Sequence, residues 1–138
     1  MEKLLIDTNI IIDLLAKRED YYREAQELFT LAEERKFSLY ISSLTFVNTH
    51  YILSKYLDAD KVYKALAKIK TLVEILPLDN KIIELALASD FKDFGDAVQY
   101  QTAIVNKQDI IITRNKKDYK TSELPVLSAM EFLNKRRF

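Results

Sequence analysis

The fold class is decided by a short stretch near the start of the chain, Leu4-Leu5-Ile6-Asp7-Thr8-Asn9. Its first half is a continuous apolar run, which is typical of a strand buried on both faces of a parallel sheet. Its polar half ends that strand, and we predict a helix from about Ile10. A strand that leads at once into a helix is the unit from which parallel α/β sheets are built.

The same alternation continues along the chain. Short apolar runs predict four further strands, at Ser38-Leu39-Tyr40-Ile41, Val73-Glu74-Ile75-Leu76, Ile110-Ile111-Ile112 and Val126-Leu127. Apolar periodicity and capping residues predict helices over 21–35, from Ser42 or Ser43, from Asp60 to about Lys70, over 80–88, from Asp96 to about Asn106 and from Ser128. We therefore expect an α/β fold whose central, mainly parallel sheet of about five strands is covered by helices on both faces.

Composition supports one globular domain over residues 1–138. Apolar residues make up 49% of the chain and charged residues 30%, which is close to the balance of ordinary folded domains. One glycine and two prolines supply little material for tight turns, which disfavours an all-β fold. The single glycine also excludes the Gly-rich loops that cradle phosphates in nucleotide-binding proteins.

Charge and cysteine content restrict the partners and the compartment. The 21 basic and 21 acidic residues cancel, so an anionic partner requires a local basic patch. The chain has no cysteine, which excludes disulfides and thiolate metal sites. The start of the sequence lacks the long apolar region of a signal peptide, and no apolar run is long enough to span a bilayer. We therefore expect a cytoplasmic protein with no membrane partner.

Four acidic residues stand where a parallel sheet binds its ligands. Such sites form outside the carboxyl ends of the strands, and Asp7, Asp93, Asp96 and Asp118 are expected at that edge. Carboxylates gathered in one place repel one another, and a hard divalent cation such as Mg²⁺ relieves the repulsion. Each acid also has an ordinary explanation. Asp7 and Asp96 are suited to capping helices, and Asp93 and Asp118 to solvated loops.

Three segments carry a resemblance to a known family. The motifs of PIN-domain nucleases resemble, in order and spacing, Asp7-Thr8-Asn9, Asp93-Phe94-Gly95-Asp96-Ala97 and Thr113-Arg114-Asn115-Lys116-Lys117-Asp118-Tyr119. Corresponding segments of that family are similar to Ile41-Ser42-Ser43-Leu44-Thr45 and Pro125-Val126-Leu127-Ser128. The resemblance spans essentially the whole chain and includes the VapC-type toxin ribonucleases.

The resemblance implies a three-layer α/β/α sandwich that cleaves RNA with Mg²⁺ or Mn²⁺. The implied metal ligands are Asp7, Asp96, Asp93 and Asp118. The implied catalytic residues are Asp7, Asp93, Asp96 and Asn48, and the implied supporting residues are Asn9, Thr113 and Asn115. Implied partners are RNA, an antitoxin protein and a second copy of the chain, for which the candidate contacts are Tyr21, Tyr22 and Phe138.

Two residues depart from the pattern of the family. Many PIN nucleases carry a glutamate where this chain has Asn48, and the fourth motif often ends in aspartate where this chain has Asn115. An amide oxygen can coordinate a hard cation but brings no charge, so it holds the ion less tightly. The alternative function is a catalytically weakened PIN-like module that binds RNA or protein. A metal-binding signalling domain of the response-regulator type fits a parallel sheet with acids but lacks this order of motifs.

Basic residues beside the acids are natural contacts for RNA phosphates. One loop contributes Arg114, Lys116, Lys117 and Lys120. The alternative interpretation is an ordinary solvated loop. A second basic run, Lys135-Arg136-Arg137, is expected to be a solvated helix end.

The histidine and the aromatic residues near the motifs are expected to be structural. His50 follows Asn48 by two residues, which places it on nearly the opposite side of the helix. Phe91 and Phe94 precede Asp96 at helical spacing and are expected to pack rather than to stack on bases. A hydrolase that relies on a histidine base is therefore disfavoured.

Overall fold

Five strands form one sheet in the computed structural model, which describes residues 1–136. The strands are β1 Lys3–Ile6, β2 Ser38–Ser42, β3 Glu74–Leu76, β4 Ile110–Ile112 and β5 Val126–Leu127, and their order in the sheet is β3-β2-β1-β4-β5. Every pairing is parallel, and Leu5 in the central strand β1 lies opposite Tyr40 and Ile111. The predicted parallel sheet of five strands is confirmed.

Seven α-helices connect and cover the strands within residues 1–136. They are α1 Thr8–Leu15, α2 Tyr22–Glu33, α3 Ser43–Leu53, α4 Ala59–Leu72, α5 Asn80–Leu87, α6 Phe94–Val105 and α7 Ala129–Lys135, and a short 3₁₀ helix spans Lys116–Tyr119. No helix in this part of the chain is long and apolar enough to cross a membrane. Arg137 of the predicted basic tail and Phe138, a candidate dimer contact, lie outside the described residues.

Helices cover both faces of the sheet because successive strand residues point in opposite directions. Leu4 of β1 is buried in a core that includes Leu28 of α2 and Phe132 of α7. Its neighbour Leu5 is buried on the other face, in a cluster that includes Tyr100 of α6. This arrangement confirms the expected three-layer sandwich, and it leaves the carboxyl ends of the strands free to form a site.

α6 and α4 begin earlier than predicted, because a different aspartate caps each of them. α6 begins at Phe94, and its cap is Asp93, whose carboxylate accepts a hydrogen bond from the backbone N–H of Asp96 at 2.9 Å. α4 is capped in the same way by Asp58 rather than by Asp60. The interpretation of Asp96 as the cap of its own helix is therefore wrong, and its carboxylate is left for another role.

Candidate active site

Asp7 is held by hydrogen bonds at the carboxyl end of β1. Its Oδ1 accepts hydrogen bonds from the backbone N–H of Thr8 at 2.8 Å and from Nε2 of Gln99 at 3.1 Å. Its Oδ2 accepts them from the hydroxyls of Thr113 at 2.8 Å and Tyr119 at 3.2 Å. A carboxylate offers about four lone-pair positions, so these four donors fix its orientation. Asp7 also caps α1, which makes the capping interpretation and the site interpretation compatible.

Gln99 links Asp7 to a buried polar network that sequence reasoning missed. Its Nε2 also donates to the Thr45 hydroxyl at 2.9 Å, and its Oε1 accepts a hydrogen bond from the Ser42 hydroxyl. Gln99 is buried in the middle of α6, away from the strand ends where functional residues were sought. Its spacing from Asp96 could have indicated it, because a residue three positions after Asp96 lies on the same side of the helix and so on the side of the site.

We expect Gln99→Leu to lower the free energy of unfolding by about 1–3 kcal/mol, because it leaves buried hydroxyls without their partner. Urea denaturation measures the change. Gln101→Leu is the matched control, since Gln101 lies on the same helix and is only partly buried. Equal losses from the two substitutions would mean that helix packing, and not the network, sets the stability.

The proposed supporting residues connect the first turn of α1 to the loop that follows β4. Asn9 donates from Nδ2 to the Thr113 hydroxyl at 3.1 Å and accepts from the backbone N–H of Arg114 at 3.2 Å. The backbone N–H of Asn115 donates to the same Thr113 hydroxyl at 3.1 Å. These contacts hold the start of α1 and the loop after β4 together at the edge of the sheet.

One cleft of about 460 Å³ opens at this edge and brings the predicted acids together. Its lining includes the predicted residues Asp7, Asn9, Asn48, Asp93, Asp96, Asn115 and Asp118. It also includes Gln99, Arg18 and Tyr51, which sequence reasoning did not assign to the site. His50, by contrast, is exposed and does not line this cleft, as its helical position predicts.

Asp96 experiences the crowding of these acids most directly. Partial burial raises its pKa to about 7, and the negative charges of Asp93, Asp118 and Asp7 contribute in that order. A carboxyl group with such a pKa is one whose negative charge lacks compensation. The cleft therefore attracts positive charge.

Oxygen donors of the cleft suit a divalent cation. Carboxylate and amide oxygens are ligands for Mg²⁺ and Mn²⁺, and Asp7, Asp96 and Asn48 present them here. Within residues 1–136, however, no three or more acidic, histidine or cysteine side chains are arranged as a ready-made metal site. The chemistry of the donors fits a hard cation, although the carboxylates of the cleft do not converge on a single point.

Two residues of the predicted basic loop are engaged within the protein. Arg114 makes a two-pronged ion pair with Asp13, at 2.8 Å from Nε and 3.1 Å from Nη2, and its guanidinium stacks on Tyr21 at 4.0 Å from the ring centroid. Burial alone would lower the pKa of Arg114, but the hydrogen bond and charge of Asp13 outweigh it and raise the pKa. Lys116 donates to both carboxylate oxygens of Glu131 at 2.9 Å. Both side chains are thus paired with carboxylates of the protein, and their assignment as phosphate contacts stays a prediction.

The remaining basic residues of the loop and tail differ in whether an acidic partner within the protein holds them. Lys117 and Lys120 are exposed and remain available to an anionic partner. Arg136 is not a merely solvated tail residue, because its Nη2 lies 2.6 Å from the Glu2 carboxylate.

Phe91 packs against Tyr100 as expected, with ring centroids 5.2 Å apart. Phe94, in contrast, is 46% exposed.

Comparison with known proteins gives a consistent pattern. A family model described as PIN domain matches residues 3–117 of the chain. The chain is 27% identical over 136 residues to Ribonuclease VapC1 of Aquifex aeolicus (strain VF5), covering 95% of this chain and 93% of that protein.

Solved structures agree with the fold. A toxin-antitoxin complex from Klebsiella pneumoniae is similar with a TM-score of 0.67 and 28% identity, covering 91% of this chain and 97% of that chain. VapBC-1 from nontypeable Haemophilus influenzae is similar with a TM-score of 0.71, covering 93% of this chain and 98% of that chain. Its 17% identity makes it a likeness of fold alone.

Proposed function

The chain belongs to the PIN domain family, and from this premise we propose that it is a metal-dependent endoribonuclease and the toxin of a toxin–antitoxin pair. The observation that carries the proposal is the cleft at the ends of the strands, which is lined by Asp7, Asp93, Asp96 and Asp118. Support for the substrate comes from the relative named as a ribonuclease, and support for an antitoxin partner comes from the similar toxin-antitoxin complex.

The reaction we propose is hydrolysis of an RNA phosphodiester, in which the oxygen of water attacks phosphorus and the 3′ oxygen leaves. Bound Mg²⁺ or Mn²⁺ supplies a polarised phosphate and a water of lowered pKa. Asp7 and Asp96 are the residues that would hold the ion, with Asp93 and Asp118 acting directly or through water. The network around Asp7 keeps its carboxylate in place, and the Asn48 amide orients the attacking water.

A binding module without efficient catalysis is the second candidate. The observation that favours it is that Asn48 and Asn115 present amides, not carboxylates, to the cleft. Both candidates would bind RNA, so binding does not separate them. Cleavage does.

Cleavage of a mixed RNA population in Mn²⁺, in Mg²⁺ and in EDTA tests the proposed function. We expect cleavage with either ion, none in EDTA, and none by the Asp96→Asn variant. Asp90→Asn is the matched control, because Asp90 is an exposed acid of the same segment that does not line the cleft. Metal binding without cleavage supports the second candidate, and cleavage that persists in EDTA contradicts the metal dependence.

We expect Asn48→Glu to bind Mn²⁺ several times more tightly and to preserve or raise cleavage, because the added charge favours the cation. Isothermal titration calorimetry measures the affinity. His50→Glu adds the same charge to the same helix on a side that does not line the cleft, and it should leave the affinity unchanged. Unchanged or weaker binding by folded Asn48→Glu would remove Asn48 from the surroundings of the metal.

Self-association of the chain stays a prediction. Of its candidate contacts, Tyr21 is 42% exposed and its ring is stacked against Arg114, and Tyr22 is partly buried. Light scattering on the purified chain measures the mass in solution. A doubled mass that falls on Tyr21→Ala would support that contact.

A further inference from the structure

The structure leaves an aromatic ring exposed beside the acidic cleft. Tyr51 of α3 is 65% exposed, although it lines the same cleft as Asp7 and Asp96. The Nζ of Lys55, in the turn that follows α3, lies over the Tyr51 ring at 4.7 Å from its centroid. An exposed ring with an ammonium group over one face offers its other face for stacking and a positive charge close by.

These residues form a continuous strip that leads away from the acids. Asn48 and Tyr51 are three residues apart, which places them on the same face of α3, and Lys55 in the turn after α3 reaches back to the Tyr51 ring. We call these three residues the α3 strip. Its first residue lines the cleft with the acids, and its last lies beyond the end of the helix.

Positive charge on this side of the cleft complements the negative charge of a nucleic-acid strand. Arg18 lines the cleft with a side chain that is 42% exposed, and its guanidinium lies 3.8 Å from Asp13, which is a long ion pair. Arg114 and Lys116 of the basic loop are held by closer carboxylates. Lys55 and Arg18 are therefore better placed than those two residues to meet phosphates next to the cleft.

We propose that the α3 strip binds an unpaired segment of RNA next to the bond that is cleaved, with one base stacked on Tyr51 and a neighbouring phosphate held by Lys55. The inference rests on the proposed function and assigns the residues of a binding subsite to it. Every nucleobase has a flat face that can stack on an aromatic ring, but a base within a duplex is already stacked on its neighbours. An unpaired base can therefore stack on the Tyr51 ring, whereas a base within a duplex cannot.

Binding of a labelled, unstructured RNA measured by fluorescence anisotropy in EDTA tests the strip without any cleavage. We expect Tyr51→Leu to weaken binding about 5- to 100-fold, the range typical of one stacked base, and Tyr51→Phe to stay within about twofold. Lys55→Gln should reduce the slope of log affinity against log salt concentration by about one. A duplex of the same sequence should bind the Tyr51→Leu variant and the unchanged protein equally.

Tyr63→Leu is the matched control, because Tyr63 is 67% exposed but lies on α4 and packs against His50. The strip is overturned if Tyr51→Leu binds RNA like the unchanged protein, if Tyr63→Leu loses as much, or if the unchanged chain does not bind single-stranded RNA. It is also overturned if Tyr51→Leu changes the mass in solution, because the surface is then a protein contact. Tyr51-dependent binding by a chain that never cleaves would reject the nuclease and keep the strip.

Discussion

Asp96→Asn is expected to reduce RNA cleavage about a hundredfold or more while making the metal-free protein more stable. Cleavage falls because the substitution removes a charge that holds the cation. Stability rises because the Asp96 carboxylate is partly buried and lies among the charges of Asp93, Asp118 and Asp7, which together raise its pKa. A residue with a purely structural role would not give these opposite effects.

The stability gain should depend on pH in a defined direction. In the folded protein the pKa of Asp96 is about 7, above its ordinary value of 3.8, so folding takes up a proton between these values. The charged form opposes folding, and its destabilising effect is complete above pH 7 and absent below about pH 4. Melting curves in EDTA should therefore show Asp96→Asn to be more stable than the unchanged chain at pH 8 and equal to it near pH 4.

The melting temperature in Mn²⁺ distinguishes a metal-binding role of Asp96 from a purely structural one. Under the proposed function, Mn²⁺ should bind the folded state and raise the melting temperature of the unchanged protein, and Asp96→Asn should lose that increase. Asp93→Ala is the comparison for a lost cap, because Asp93 accepts the hydrogen bond that starts α6, and it should cost about 0.5–2 kcal/mol. Full cleavage and full stabilisation by Mn²⁺ in Asp96→Asn would mean that the nuclease assignment built around this acid must be abandoned.

Strands were predicted well because burial on two faces leaves an unmistakable pattern. Ile110–Ile112 and Val126–Leu127 have the predicted bounds, and the other strands differ from prediction by one residue at one end. Helix starts were harder to predict. Asp93 and Asp96 are both good caps three residues apart, and only the three-dimensional path of the chain shows which carboxylate meets the free N–H groups.

The candidate site was predictable where chemistry coincides with the ends of strands. Asp7 directly follows β1, and a polar residue at that place is informative in any parallel sheet. Gln99 and Asp13 were missed because they lie inside helices among apolar residues, where a polar side chain gives no hint of its partner. Asp13 meets Arg114 across 101 positions of sequence, and a contact at that separation cannot be inferred from local pattern.

Arg114→Leu is expected to lower the free energy of unfolding by about 3–5 kcal/mol, because it leaves the Asp13 carboxylate buried without its main partner. Asp13 is only 1% exposed, and the remaining cation near it, Arg18, lies 3.8 Å away. Urea denaturation measures the loss. Lys116→Leu breaks the exposed pair with Glu131 and should cost no more than about 1 kcal/mol.

The double variant Asp13→Leu/Arg114→Leu distinguishes two causes of the lost stability: the loss of the ion pair's attraction and the cost of leaving the Asp13 carboxylate buried without a partner. Replacing both partners of a buried ion pair by apolar residues is often neutral, so the double variant should recover most of the stability that Arg114→Leu loses. RNA binding of the double variant should then remain close to that of the unchanged chain, because Arg114 is committed to Asp13. The opposite result is that Arg114→Leu leaves stability unchanged and weakens RNA binding. It would mean that Arg114 contacts phosphate and that its pair with Asp13 does not stabilise the fold.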